Sequence, residues 1–344
     1  MAEQELKDIS IIGGGPTGLF AAFYAGMRGA SARIVDALPA LGGQLMALYP
    51  EKYIFDVAGF PKVLAKDLVR DMSAQALQFG ATTHLGEIVT GLRRVEDGEG
   101  AGAHFVLETD GGDYPSRTIV IAAGIGAFEA RRLGIEGENG FEDKGLYFKV
   151  LDPKQFEGRR VLLVGGGDSA FDWAVNLQGV ADSIMLIHRR DAFRAHAATI
   201  TQVRELSRQG RCDLRTFWEV KKIEGNGKVE RVTIFNNKTK EEETLELDAV
   251  IPLLGFHSDL GAIKEWGLDT EKADIKVNQL METNVPGIYA AGDITSYPGK
   301  LKLIATGASE ACIAVNNAVH HINPKAKVNP GHSSNMAIFG QTED

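Results

Sequence analysis

The chain has 344 residues, and at about 150 per domain it holds two or three domains, each able to bury a sizeable core. Apolar residues make up 44% and charged residues 24%, the balance of an ordinary globular protein, and a formal charge of −9 without a basic run or tail excludes a nucleic-acid binder. The two cysteines, Cys212 and Cys312, stand 100 residues apart; this excludes a disulfide framework, a cysteine zinc site and a Cys-x-x-Cys pair, and both are expected to be reduced and mostly buried.

Ile9 to Ile12 reads as a short buried strand running into Gly13-Gly14-Gly15-Pro16-Thr17-Gly18. Glycines at 13 and 15 let backbone approach a pyrophosphate. Gly18 lets the following helix pack on its strand, and the helix N-terminus supplies aligned amides, with Thr17 in its first turn. Pro16 suits that turn because its missing N–H costs nothing there. A second strand, Ala32 to Val35, ends at Asp36, placed to accept a hydrogen bond from a ribose hydroxyl. No charge interrupts Ile9 to Met27, yet three glycines and a proline break any membrane span. The acidic start, Met1 to Glu5, is unlike a secretory leader, and a cytoplasmic protein is expected, without membrane association.

Leu41-Gly42-Gly43-Gln44-Leu45-Met46-Ala47-Leu48-Tyr49-Pro50 follows, where paired glycines again imply close approach to a ligand, with Gln44 and Tyr49 in reach. Tyr49 is either a ring lying flat on an isoalloxazine or a tyrosine in a proline-flanked turn. Lys66 to Phe79 is an amphipathic helix stopped by Gly80, alternating stretches run from Thr82 to Thr109 around a hairpin tip at 96–100, and Thr118 to Gly124 is a buried strand meeting a glycine turn. The turn-rich stretch from Phe128 to Phe141 reads as a crossing between domains.

The opening signal then repeats. Shifting by 152 positions lands Gly13 on Gly165, Gly15 on Gly167, Gly18 on Ala170 and Asp36 on His188, which Arg189 and Arg190 follow. Asp168 and Ser169 open the second helix, expected to reach about Gln178, and Ser183 to Ile187 is its partner strand. A carboxylate after the second strand repels a 2′-phosphate, whereas arginines grip one; Arg194, a turn further on, adds to the clamp. The first pocket is therefore expected to hold FAD and the second NADPH. The alternative is that these arginines decorate a solvated loop.

Gln202 to Gln209 reads as helix, Arg215 to Leu247 as mostly strands, and Asp248 to Gly255 as the return strand into the first domain. Gly287 to Asp293 is a third strand-to-glycine turn, whose Asp293 either bonds a ribityl hydroxyl or caps a turn. Ile304 to Ile322 has helical spacing, with Ala305, Ala308, Ala311, Cys312 and Val315 on one face and its N-terminus beyond Asp293. Aimed at a flavin, its dipole would stabilise negative charge by about 0.3–1 kcal/mol. Pro324 ends it. The polar tail, Lys325 to Asp344, contains a small cluster from Met336 to Phe339; it is either disordered or folded over the flavin, with His332 and Ser334 as contacts. The expected fold is α/β, two doubly wound three-layer Rossmann-like domains with one inserted in the other. Residues 1–127 and 252–344 would form the FAD domain and 128–251 the NADPH domain.

The two glycine motifs, His188-Arg189-Arg190-Asp191-Ala192-Phe193-Arg194, and Ala290-Ala291-Gly292-Asp293 resemble the thioredoxin-reductase-like flavoproteins over nearly the whole chain. In thioredoxin reductases proper, a Cys-x-x-Cys pair precedes the second glycine motif. Here that stretch, Gly145 to Pro153, has no cysteine, so dithiol–disulfide exchange of that kind is closed. The chain resembles instead the type 2, thioredoxin-reductase-like ferredoxin–NADP(+) reductases, through Gly42 to Tyr53 and the His332-containing tail. The resemblance implies FAD contacts from Asp36, Gln44, Tyr49, Val89, Phe128, Asp293 and Ser334. Tyr49 would stack on one face of the ring and His332 on the other, the partner subunit of a homodimer being a candidate source of that histidine. It implies exchange of electrons between NADPH and ferredoxin or flavodoxin, with no acid–base or nucleophilic residue indispensable and no metal. Three other activities share these motifs: a flavin-dependent NAD(P)H oxidase, a low-molecular-weight disulfide reductase and a non-catalytic redox-sensing flavoprotein. Because ferredoxins and this chain are both acidic, docking would need a local basic patch, for which Lys300, Lys302, Lys325 and Lys327 are candidates.

Overall fold

The computed structural model describes residues 5–96, 103–148, 150, 152–328, 331–336 and 339, apart from the side chains of 127–129, 256–258 and 335. The expected hairpin tip at 96–100 lies outside these residues beyond Glu96, and of the Met336–Phe339 cluster only the two ends are described. The chain divides into two compact units, residues 1–128 with 258–344 and residues 129–257.

The first unit opens with β1 (Lys7–Ile12), α1 (Pro16–Met27), β2 (Ala32–Asp36) and a short α2 (Gln44–Leu48). A small ribbon, β3 (Tyr53–Ile54) with β4 (Val63–Leu64), leads to α3 (Ala65–Leu77). Then come β5 (Thr82–Leu85), β6 (Val89–Val95), β7 (His104–Thr109), β8 (Asp113–Ile121) and the crossing β9 (Ala127–Ala130). The sheet has the order β5-β2-β1-β8-β7-β6, parallel through β5, β2, β1 and β8 and antiparallel beyond. Side chains that alternate along β1 separate two cores. Ile9 and Ile11 face the helices with Ile34, Val120, Leu19 and Ala22; Ile12 faces the other way with Val35, Ile119, Ile121 and Leu107.

The second unit repeats the plan. It comprises β10 (Arg160–Val164), α4 (Asp168–Asn176), β11 (Ser183–His188), α5 (Ala197–Arg208) and β12 (Asp213–Thr216). An antiparallel sheet follows, β13 (Trp218–Glu224), β14 (Arg231–Asn236) and β15 (Glu242–Glu246), before β16 (Ala249–Pro252). The parallel sheet has the order β12-β11-β10-β16, which matches β5-β2-β1-β8 strand for strand. Its cores are layered alike: Val161, Leu163 and Leu186 pack on Phe171, Ala174 and Val203 of the helices, while Leu162, Val164 and Ile187 pack on Val220, Val232 and Ile234 of the antiparallel sheet.

The expectation for Asp248 to Gly255 is corrected here. β16 pairs with β10 from Val161–Ala249 to Val164–Pro252, so it is the closing strand of the second unit and not the return into the first. The return comes with β17 (Phe256–Asp259), which pairs with β9. β18 (Thr270–Glu271), β19 (Asp274–Lys276) and β21 (Thr295–Ser296) make a small separate sheet, β20 (Ile288–Ala290) lies between β19 and β21 in the chain and joins the main sheet, and α6 (Ile304–Ile322) follows. β8 forks at its middle: Asp113 to Ser116 pair with β7, and Ile119 to Ile121 pair in parallel with β20. The fork brings Gly292 and Asp293 to the edge where β1 delivers Gly13.

The buried face of α6 also departs from expectation. It runs through Gly307, Glu310, Ala311, Ala314, Val315 and Ala318, while Ala305 is exposed and Cys312 half-buried. Small residues set this face because α6 packs against Ala21, Ala22 and Ala25 of α1.

Candidate functional site

In the first unit the glycine turn is built by exclusion. A Cβ on Gly13 would fall 2.4 Å from the Ala122 carbonyl oxygen, and one on Gly18 1.8 Å from the Gly13 carbonyl oxygen. Strand, turn and helix therefore close only without side chains at these positions. Gly15 differs, since a Cβ there would meet nothing nearer than the Gly43 Cα at 3.8 Å. This open approach lies at the start of α1, whose N-cap carries no side-chain hydrogen bond. Its first-turn amides are thus presented outward with the positive end of the helix dipole.

Asp36 is fastened to this turn. Its Oδ2 accepts from the Gly14 amide at 2.5 Å and its Oδ1 from the Leu38 amide at 2.8 Å. Burial pushes its carboxyl above the usual range, against the pull of these two bonds. A side chain on Gly14 would stand 2.8 Å from Leu41 Cδ2 and 3.1 Å from Asp36 Oδ2, so the middle glycine, absent from the expected contacts, admits the carboxylate. The Glu87 amide donates to the Asp36 carbonyl at 3.1 Å and the Gly86 amide to that of Leu38 at 2.9 Å, which brings Val89 to the same edge. The Phe128 side chain lies outside the described residues.

The Gly42 amide donates to the Gly14 carbonyl at 2.8 Å, seating the second glycine loop on the first. Gln44 follows, its Nε2 3.3 Å from where a Gly124 Cβ would stand, so it bridges the loop and the end of β8. Tyr49 ends α2, half-buried. Burial, then the carboxylates of Asp293 and Asp56, push its hydroxyl pKa up. Asp293 is itself raised, burial outweighing the pull of Lys300 and Lys302. Thr17 draws two helix starts together: Cβ atoms on Gly292 and on Gly307 of α6 would lie 2.7 and 2.3 Å from its Oγ1. α6 also lacks a side-chain cap. Thus α1 and α6 aim two uncapped N-termini at the region bounded by Gly15, Tyr49 and Asp293.

Glu310 locks the Gly292 turn. It accepts from the Gly292 amide at 2.7 Å, from the Tyr297 hydroxyl at 2.5 Å and from Lys300 Nζ at 2.5 and 2.7 Å. Lys300 is therefore not a docking lysine, a correction to the expected patch; Lys302 is exposed but paired with Asp274 at 3.0 Å. Sequence reading missed Glu310; the one trace it leaves there is a lone carboxylate in the small-residue stripe of α6.

His332 and Ser334 are exposed, Ser334 within a short 3-10 turn, Ser333–Asn335, and His332 just before it. The tail is held at the other end of α1: Arg28 Nη2 donates to the Lys327 carbonyl at 2.5 Å, and the Phe339 ring packs on Phe79 and Phe23 at centroid distances of 5.6 and 6.4 Å. Thr17 and Arg28 are separated by roughly 16 Å of helix.

In the second unit, Ala170 takes the place of Gly18, its methyl 3.0 Å from where a Gly165 Cβ would be. A Cβ on Gly167 would meet nothing within 4 Å, and α4, opened by Asp168 and Ser169, has no side-chain cap. The His188 ring lies on Gly166, where a Cβ would come within 2.4–2.6 Å of it, as Asp36 lies on Gly14. Burial first, then Arg189, Arg190 and Arg194, hold the His188 pKa below its ordinary value. The three arginines are exposed, and no carboxylate pairs with them among the described residues. Asp168 Oδ1 accepts from the His196 amide at 2.8 Å.

Both turns pass a steric test for dinucleotides, with glycines packed shut behind and open in front, uncapped amides ahead, and a carboxylate in one unit where the other has cations. Cys212 and Cys312 are free, one in each unit, and burial pushes both thiols up to about 11. Neither is poised to attack a disulfide at neutral pH. No helix among the described residues is long and apolar enough to cross a membrane.

The sequence profile of the pyridine nucleotide-disulphide oxidoreductase family matches residues 7–319. The chain is 51% identical over 334 residues to a ferredoxin–NADP reductase of Thermus thermophilus, covering 97% of this chain and 98% of that protein. It is 52% identical to one of Halalkalibacterium halodurans, covering 97% and 99%. Among solved structures, the thioredoxin reductase of T. acidophilum superposes with a TM-score of 0.75 at 26% identity, covering 93% of this chain and 99% of the other.

Proposed function

We propose, from the premise that this chain belongs to the pyridine nucleotide-disulphide oxidoreductases and, among them, to the ferredoxin–NADP reductases, that it passes electrons between NADPH in the second unit and ferredoxin by way of FAD in the first. The carrying observation is the contrast between two turns in the same place of two matching parallel sheets, Asp36 on Gly14 in one and His188 on Gly166 with three exposed arginines in the other.

FAD would supply the conversion between a two-electron hydride and single electrons. The chain's residues do the rest. In the first unit, the open face of Gly15 and the first-turn amides of α1 receive the pyrophosphate, and Asp36 and Val89 take the adenosine end. Gln44, Asp293 and the α6 N-terminus would meet the other end, and Tyr49 would hold the ring. In the second, Gly167 and the α4 amides receive the NADPH pyrophosphate, and Arg189, Arg190 and Arg194 grip its 2′-phosphate by charge-assisted bonds. Neither thiol takes part.

The cytoplasm is its proposed location and a homodimer its proposed state. The tail is anchored on Arg28, Phe23 and Phe79, away from the Gly15 end of α1, which supports His332 and Ser334 serving the flavin of a second copy. Purified protein loaded with FAD should reduce cytochrome c with NADPH only when ferredoxin is added. Peroxide formation at the same rate without ferredoxin would identify an oxidase instead.

A further inference from the structure

The loop that leaves β11 carries Arg189, Arg190 and Arg194, and its useful property is the direction in which it leaves. Its far end is tied to the glycine turn: the Arg194 amide donates to the Gly166 carbonyl at 2.8 Å, and the His196 amide to Asp168 Oδ1 at 2.8 Å. The ladder with β12 ends at the pair His188–Thr216, one residue before the arginines begin. The hold on Arg189 itself comes from a residue 48 positions away: Asn237 Nδ2 donates to the Arg189 carbonyl at 2.9 Å. The same Nδ2 donates to Glu219 Oε1 at 2.9 Å, which orients the amide. The Asn237 main chain is rooted as well, its N–H donating to the Phe217 carbonyl at 2.8 Å.

We propose that Asn237 is a positioning residue for the choice of NADPH over NADH, acting by holding the Arg189 carbonyl so that Arg189 and Arg190 leave the strand already aimed at the 2′-phosphate. It touches no nucleotide. Half-buried between the antiparallel sheet and the end of β11, it converts two flexible side chains into a prepared cationic site by fixing their shared backbone. Glu219 positions Asn237 in turn. This inference rests on the reading that these arginines grip the 2′-phosphate.

The test uses FAD-loaded full-length protein, with 2′,5′-ADP and 5′-AMP as calorimetric probes and steady-state constants for NADPH and NADH. The double variant Arg189→Ala with Arg190→Ala tests the underlying reading and should lose affinity for 2′,5′-ADP while keeping that for 5′-AMP. Asn237→Ala and the bulkier Asn237→Leu remove the donor without adding charge. Each should weaken 2′,5′-ADP and raise KM for NADPH by about three- to tenfold, the scale of one aimed hydrogen bond. In both, kcat, 5′-AMP affinity and KM for NADH should stay unchanged. Glu219→Gln keeps an acceptor and should stay near the parent protein. If the arginine variant loses selectivity while both Asn237 variants bind 2′,5′-ADP normally, or lose both probes equally, the positioning role is overturned and the clamp stands. If the arginine variant is indifferent, the clamp itself falls.

Discussion

Lys300 Nζ lies 2.5 Å from Glu310 Oε1, with 7% and 3% of the two side chains exposed. The pair stands behind the Gly292–Asp293 turn, and Glu310 also takes the Gly292 amide, so it joins α6 to the strand end that bears Asp293. Removing one partner leaves the other charged and buried. Glu310→Ala should therefore cost about 3–5 kcal/mol, and Glu310→Leu with Lys300→Met considerably less. Urea unfolding of the three proteins checks this; equal losses in the single and double variants would show that packing, not charge, governs the site.

The same pair makes Lys300 irrelevant to docking. Lys325 and Lys327 are exposed, whereas Lys300 is spent internally. Neutralising Lys325 and Lys327 should flatten the salt dependence of ferredoxin reduction if a basic patch steers it, and Lys300→Met should leave that slope unchanged. Stopped-flow rates across ionic strength decide it.

These cases show where sequence reading reaches and where it stops. The turn at Gly13 and its copy at Gly165 are local: strand, glycines, helix and terminal acid or arginine fall within about thirty residues, so the fold class and both strand–glycine–helix turns could be read off. The helix at Ile304–Ile322 was legible for the same reason. Its buried face was not, because Glu310 looks like a solvent-side charge until Lys300 and the Gly292 amide meet it. β16 reads equally well as a buried strand of either unit, since all its residues are buried and only pairing with β10 assigns it. Asn237 meets Arg189 across 48 residues, and no periodicity reports such a contact.

Acid should act on the second unit through Asp248. The Arg160 side chain, hydrogen-bonded to it at 2.9 Å, leads in holding its carboxyl down at about 2, against an ordinary 3.8. A lowered carboxyl stabilises the fold above the unfolded value and ceases to as pH falls through the folded one, so the loss runs from about pH 4 to pH 2. Solvent reaches both partners, which holds the contribution to about 1 kcal/mol or less. Asp248→Asn should remove that part of the pH slope in thermal melts; an unchanged slope would assign it to other carboxylates.

The two open glycines separate folding from cofactor binding. Gly18→Ala would put a methyl 1.8 Å from the Gly13 carbonyl oxygen, so α1 must shift off β1, and both melting temperature and FAD content should fall. Gly15→Ala meets only the Gly43 Cα at 3.8 Å, and Gly167→Ala meets nothing within 4 Å. Neither position has a left-handed φ, since the N-cap angles are −72° and −101°. The apoproteins should therefore melt within about 0.5 kcal/mol of the parent, as substitutions away from packed features do. Yet each methyl would project into the space proposed for a pyrophosphate. Gly15→Ala should lose bound FAD, read as the ratio of flavin to protein absorbance, and keep its affinity for 2′,5′-ADP. Gly167→Ala should keep its yellow colour and raise KM for NADPH. Loss of flavin from the Gly167 variant, or of NADPH affinity from a flavin-reconstituted Gly15 variant, would mean that the two cradles have been assigned to the wrong nucleotides.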